Sequence, residues 1–275
     1  MRAVFETSKP EFAAFPQRLD LQMNLAAAYS SIDPIGYQSE LRALFAHIES
    51  ICDQFSDGRV YYAQLWGYFL EQIGDCEAVE AAYRYLEAAE ESGEDHYISD
   101  AFELLCIVLV EFDLESARLQ LRDLAAAGEA SARRGGRNRS VSGVLMWRAL
   151  AAHWAGQESE AKRFYQRAMT LQQRVAPPRN SALYAAIAFH EISGDFERAL
   201  QVCQADIRIL HVHKLTFLLA DRRLRKCQLL TQMSRDISRE ARRLRRVAAQ
   251  LRSREHWENR LGELEASQSG ETHEQ

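Results

Sequence analysis

The stretch Ile192-Ser193-Gly194-Asp195-Phe196-Glu197-Arg198-Ala199 decides how this chain is read, and Met233-Ser234-Arg235-Asp236-Ile237-Ser238-Arg239-Glu240-Ala241 nearly repeats it. A glycine after an apolar helix face closes that helix in the left-handed conformation, and the aspartate after it caps the next helix with its carboxylate. Related breaks occur at Ile32-Asp33-Pro34, Ile73-Gly74-Asp75, Glu111-Phe112-Asp113 and Ala155-Gly156-Gln157. Counted at positions 33, 75, 113, 157, 195 and 236, the intervals are 42, 38, 44, 38 and 41 residues. Ala117, Ala161 and Ala199 each follow their marker by four residues, where a close helix crossing needs a small side chain. Apolar residues precede the turns at helical spacing: Trp147, Leu150, Ala151 and Trp154, and likewise Trp66, Gly67 and Leu70. Six helical hairpins of about forty residues account for this pattern.

The surrounding sequence supports an all-α chain. Of five prolines, Pro10, Pro16 and Pro34 lie near the start and Pro177 and Pro178 sit together, leaving long proline-free stretches rich in Ala, Leu, Glu, Arg and Gln. There is no alternating β-branched segment and no Asn-Gly turn. With 275 residues, 47% of them hydrophobic and 27% charged, the chain can bury a sizeable core and is too apolar to be disordered. Looser breaks are expected at Glu91–Asp95, Gly135–Asn138 and Ala176–Arg179, an irregular lead-in over 1–18, and a disordered polar tail over 266–275. No apolar run reaches the roughly 18 residues of a membrane span; Phe102–Val110 holds Glu103 and stops at Glu111. The first thirty residues carry Glu6, Glu11 and Asp20 without an apolar region, so no secretory signal is expected.

The residues Trp66-Gly67, Gly74-Asp75 and Tyr83 in one unit resemble the tetratricopeptide repeat family. So do Leu104, Val108, Ala117, Leu121 and Leu124 in a second, Gly156, Ala161, Tyr165 and Ala168 in a third, and Gly194, Asp195 and Ala199 in a fourth. The resemblance covers roughly residues 20–252, with a period of 38–44 against the family's usual length of about 34 residues. Units of this length look like the repeats of bacterial regulatory and sensor proteins. The resemblance implies a right-handed α-solenoid over 19–265 with a last hairpin at 216–252. It also implies a ligand groove lined by the first helix of each unit. Counted from Gly74, the groove residues are Tyr61, Gln64, Tyr68 and Glu71; counted from Gly194, they are Tyr184 and Glu191.

The net charge of −5 conceals an asymmetry. Residues 1–130 hold 8 Lys+Arg against 24 Asp+Glu, a net −16, whereas 131–260 hold 26 against 11, a net +15. Such a distribution either steers a partner or simply solvates helix faces. In the basic half, Leu230, Met233, Ile237, Leu244, Val247 and Leu251 fall on heptad sites, interrupted by Glu240. Arginines 235, 239, 242, 243, 245 and 246 lie between them. Three readings stay open for 230–251: a terminal cap, a dimerising or coupling helix, and a basic surface (Arg239, Arg242, Arg243, Arg246) for phosphate backbones.

Catalytic and cofactor motifs are absent: no GxxxxGK[ST], GxGxxG, HExxH, GxSxG or EF-hand loop. His211 and His213 point about 200° apart on a helix and cannot share an ion there. Cys52, Cys76, Cys106, Cys203 and Cys227 have no paired spacing and read as buried, reduced thiols of a cytoplasmic protein. The expectation is a non-enzymatic scaffold without cofactor or metal that binds a protein or peptide and no membrane. The alternatives are a sensor or coupling module of a bacterial signalling or transcription-regulatory system, a nucleic-acid-binding solenoid, and a homodimer through 230–251.

Overall fold

Each of the six expected turns falls between two helices. The computed structural model describes residues 19–55, 57–136, 138–174 and 180–269, and over these the chain forms thirteen α-helices and no strand. The chain divides into two compact units, Met1–Ala176 and Pro177–Gln275. The first unit holds α1 (Leu19–Ile32), α2 (Gln38–Cys52), α3 (Gly58–Ile73), α4 (Ala78–Ser92), α5 (Asp95–Phe112), α6 (Leu114–Arg134), α7 (Asn138–Trp154) and α8 (Glu158–Arg174). The second holds α9 (Asn180–Ile192), α10 (Phe196–Val212), α11 (Thr216–Gln232), α12 (Ser238–Ala248) and α13 (Arg254–Ser269). α13 takes in residues 266–269 of the expected polar tail; the rest of that tail, the lead-in over 1–18 and the Pro177-Pro178 break lie outside the described residues.

The turn chemistry follows the sequence closely. At Gly194 (φ +76°) the amide donates to the Glu191 carbonyl and the Asp195 amide to that of His190, so two orphan carbonyls at the end of α9 are satisfied. Gly74 and Gly156 close α3 and α7 in the same way. The carboxylates of Asp113 and Asp195 then accept from the amides of Ser116 and Arg198 and cap α6 and α10. Two further turns use the same backbone geometry without glycine, at Lys214 (φ 55°) and Ser234 (φ 53°). An L-residue in this conformation is strained. Lys214→Gly is therefore expected to stabilise the chain by about 0.5–1 kcal/mol, seen as a raised unfolding temperature; a lowered one would contradict this.

Within each unit every helix packs on its neighbour in sequence, and α1, α3, α5 and α7 also touch in succession. In α5, Ser99 through Leu109 are all buried. The apolar run 102–110 is thus a helix covered on all faces, as its composition requires. Among the described residues no helix is long and apolar enough to cross a membrane. Trp147, Tyr85, Phe45 and Phe69 are the largest side chains fully inside this unit.

The second unit centres on Ala199, Cys203, Ile207, Leu210, Leu219 and Leu229. Ala117, Ala161 and Ala199 are all buried, as their spacing predicts. Ala199→Leu should overpack the crossing of α10 with its neighbours and cost about 1–3 kcal/mol; an unchanged unfolding temperature would contradict that placement. Four of the five cysteines are buried free thiols, whereas Cys76, in the turn after α3, is exposed and corrects the expectation that all five lie inside.

Candidate binding surfaces

Tyr61, Gln64, Tyr68 and Glu71 recur at three- and four-residue steps along α3 and share one stripe of it, each half-buried. Gln64 is engaged within the fold: its amide donates to Asp100 on α5 at 2.8 Å, and Tyr85 donates to the same carboxylate oxygen at 3.2 Å. Burial first, and the Asp100 carboxylate second, push the Tyr85 phenol well above its ordinary range. Tyr61 and Tyr68 pack on the core with one side and keep part of each ring open. The structure therefore places all four residues together but gives Gln64 an internal task.

Tyr184 and Glu191, on α9, form a separate set in the second unit. The Arg222 guanidinium lies 4.7 Å from the Tyr184 ring centroid. Glu191 accepts from Arg225 at 2.6 and 3.0 Å. Burial raises the Glu191 carboxyl, with Arg225 pulling it part of the way back. Both residues are thereby tied to α11. Arg222 is itself buried and reaches Asp206 on α10 at 2.8 Å and Asp221 at 2.5 Å. Burial pushes Arg222 down, but these two carboxylates outweigh it and hold the guanidinium above its usual value.

On α12, Arg239, Arg242 and Arg246 are exposed, and Arg239 and Arg246 make no ion pair among the described residues. Arg243 is half-buried and pairs with Glu240 at 3.3 Å. Glu240 is buried between Arg223 and Lys226 of α11, the lysine at 2.9 Å. Ile237, Leu244 and Leu251 of the heptad stripe are buried inside the second unit, and Leu230, Met233 and Val247 are half-buried. Residues 230–251 do not form one helix: α11 ends at Gln232 and α12 begins at Ser238. α13 packs on both, with Trp257 edge-on to Phe217 at 5.4 Å.

None of the expected groove positions lies on the other flank of α3, where a cavity of about 380 Å³ opens between α2, α3 and α4. Its wall carries Tyr62 and Trp66, and its rim carries Glu49, Asp53, Glu87 and Glu91 together with Arg59 and Arg84. The signal was present as three pairs at four-residue spacing, 49/53 and 87/91 acidic and 62/66 aromatic, which a search for groove positions passes over. Trp66 stands edge-on to Phe45 at 5.2 Å and Tyr62 to the same ring at 6.2 Å, so both rings are braced by the core. Burial, then Glu49, pushes the Tyr62 phenol up; burial, then Asp53, does the same to the Cys52 thiol.

No protein-family model matches the chain, and no curated protein matches it either. Among the described residues no group of three His, Cys, Asp or Glu side chains is placed to hold a metal ion. His211 and His213 are exposed at the end of α10. The first unit has its own buried charge cluster, Glu129 on α6 held by Arg133 and Arg148, each at 2.5 Å, with Arg167 at 3.8 Å. Burial raises Glu129, but its arginines prevail and keep the carboxyl below its ordinary range.

Proposed function

We propose that this chain is a non-enzymatic, cytoplasmic helical-repeat scaffold that binds a protein or peptide through α3, with hairpins of the tetratricopeptide type arranged as a right-handed solenoid. One observation carries the reading: α3 gathers four aromatic rings, Tyr61, Tyr62, Trp66 and Tyr68, that are neither buried nor free. Rings fixed by packing on one side and open on the other bury large area on binding and lose little rotamer freedom, which is why Tyr and Trp dominate interface energetics. The succession of α1, α3, α5 and α7 along the first unit supports the repeat arrangement.

The test is the double variant Tyr61→Ala with Tyr68→Ala. Because both rings are half-buried, the variant should still unfold cooperatively, while partner capture should weaken by about 2 kcal/mol or more. Undiminished capture by the folded variant would contradict the reading. A second reading is favoured by the exposed Arg239, Arg242 and Arg246 on one side of α12: contact with a nucleic-acid backbone. It requires retention of nucleic acid at low salt that falls away steeply as salt rises.

A further inference from the structure

We infer that the cavity between α2, α3 and α4 receives the cationic side chain of an arginine or lysine carried by a bound peptide. This rests on the proposed binding role of α3 and names the chemistry its ligand must bring. Two aromatic rings, Tyr62 and Trp66, form part of the wall, and the face of a tryptophan is the best side-chain acceptor for a guanidinium or ammonium. Trp66 already has the Arg42 guanidinium 5.7 Å from its ring centroid, so its environment tolerates such a cation.

The rim selects the sign of charge. Four carboxylates and two arginines line it, so carboxylates outnumber cations by two even with Arg59 and Arg84 counted in full. Arg84 is held at 2.5 Å by Glu80, which does not line the cavity. Arg59 stands at 3.5 Å from Glu91 and 3.9 Å from Asp53, too long for tight pairing. Glu49 and Glu87 make no ion pair among the described residues. The volume of about 380 Å³ is at the small end of ligand sites and suits a side chain better than a folded surface. The rest of the peptide then has the half-open tyrosines of the same helix within reach.

The experiment uses the full chain and defined probes: acetyl-Gly-Gly-Arg-Gly-Gly-amide, its citrulline counterpart of nearly the same shape without charge, and spermidine. The readout is the indole N–H resonance of Trp66, identified by its loss in Trp66→Phe. The arginine peptide is expected to shift it saturably, the citrulline peptide to bind about tenfold more weakly or worse, and Glu49→Gln with Glu87→Gln to weaken the arginine peptide by a similar factor. Equal binding of arginine and citrulline, an unmoved resonance, or an unaffected double variant would each overturn the inference. Spermidine binding as tightly as the arginine peptide would overturn it too, making the site one for free polyamines. If the resonance stays unmoved while the tyrosine pair still controls partner capture, the cavity inference fails alone. If the arginine peptide binds but the tyrosine pair is silent, the reading of the tyrosine stripe fails alone.

Discussion

Arg222→Met is expected to destabilise the second unit by about 3–5 kcal/mol at pH 7, because it strands the Asp206 carboxylate in the interior. Asp206 is fully buried and has Arg222 at 2.8 Å; burial already raises its carboxyl, with Arg222 opposing. Loss of the arginine removes that opposition and raises the carboxyl further. A carboxyl raised in the folded state stabilises below its unfolded value, and this contribution is lost as pH climbs through the raised value. The deficit of Arg222→Met should therefore shrink as pH is lowered from 7. The double variant Arg222→Met with Asp206→Leu should recover most of the loss, since an apolar pair of similar volume often replaces a buried ion pair at little cost. Chemical denaturation of the four proteins gives the cycle; a single variant as unstable as the double would contradict the pairing.

Glu240→Gln is the second large effect, expected at about 3 kcal/mol at pH 7. The side chain of Glu240 is 4% exposed, and its partners Arg223 and Lys226 are only 13% and 15% exposed, so neither cation reaches water easily once the carboxylate is gone. Burial raises Glu240, but Lys226 and Arg223 overcome it and hold the carboxyl below its ordinary range. A lowered carboxyl contributes stability that is present above its unfolded value and is lost as pH falls through the folded one. The gap between the native chain and Glu240→Gln should thus be full at neutral pH and close as pH falls through the lowered range of this carboxyl, measured by unfolding temperature. A gap independent of pH would mean that shape and not charge decides the site.

The all-α architecture was legible because its turns are written in residues with a direct backbone consequence. Gly74, Gly156 and Gly194 adopt the left-handed conformation, and Asp113 and Asp195 cap the helices that follow. The turn between α10 and α11 was passed over for the converse reason. Lys214 takes the same left-handed conformation, and nothing about a lysine announces it. α13 was also missed: its buried anchors are Trp257 and Leu261, four residues apart in an otherwise charged stretch.

The candidate site was legible only in part. The stripe from Tyr61 to Glu71 exists, but that Gln64 is taken by Asp100 and Glu191 by Arg225 depends on partners more than thirty residues away, which no local spacing reveals. The basic stretch mixes exposed arginines with ones committed to buried carboxylates, and composition cannot separate Arg246 from Arg223. The cavity beside Trp66 needed three helices to be placed before its pairs of acids could be seen to face one another.

Capture of partners from a native lysate on the immobilised full chain, with and without nuclease, bears most directly on the binding function. A protein partner that persists after nuclease treatment and is lost from the Tyr61→Ala, Tyr68→Ala chain is the expected result. Retention that disappears with nuclease and is indifferent to the two tyrosines would contradict a peptide-binding α3 and transfer the function to the arginines of α12.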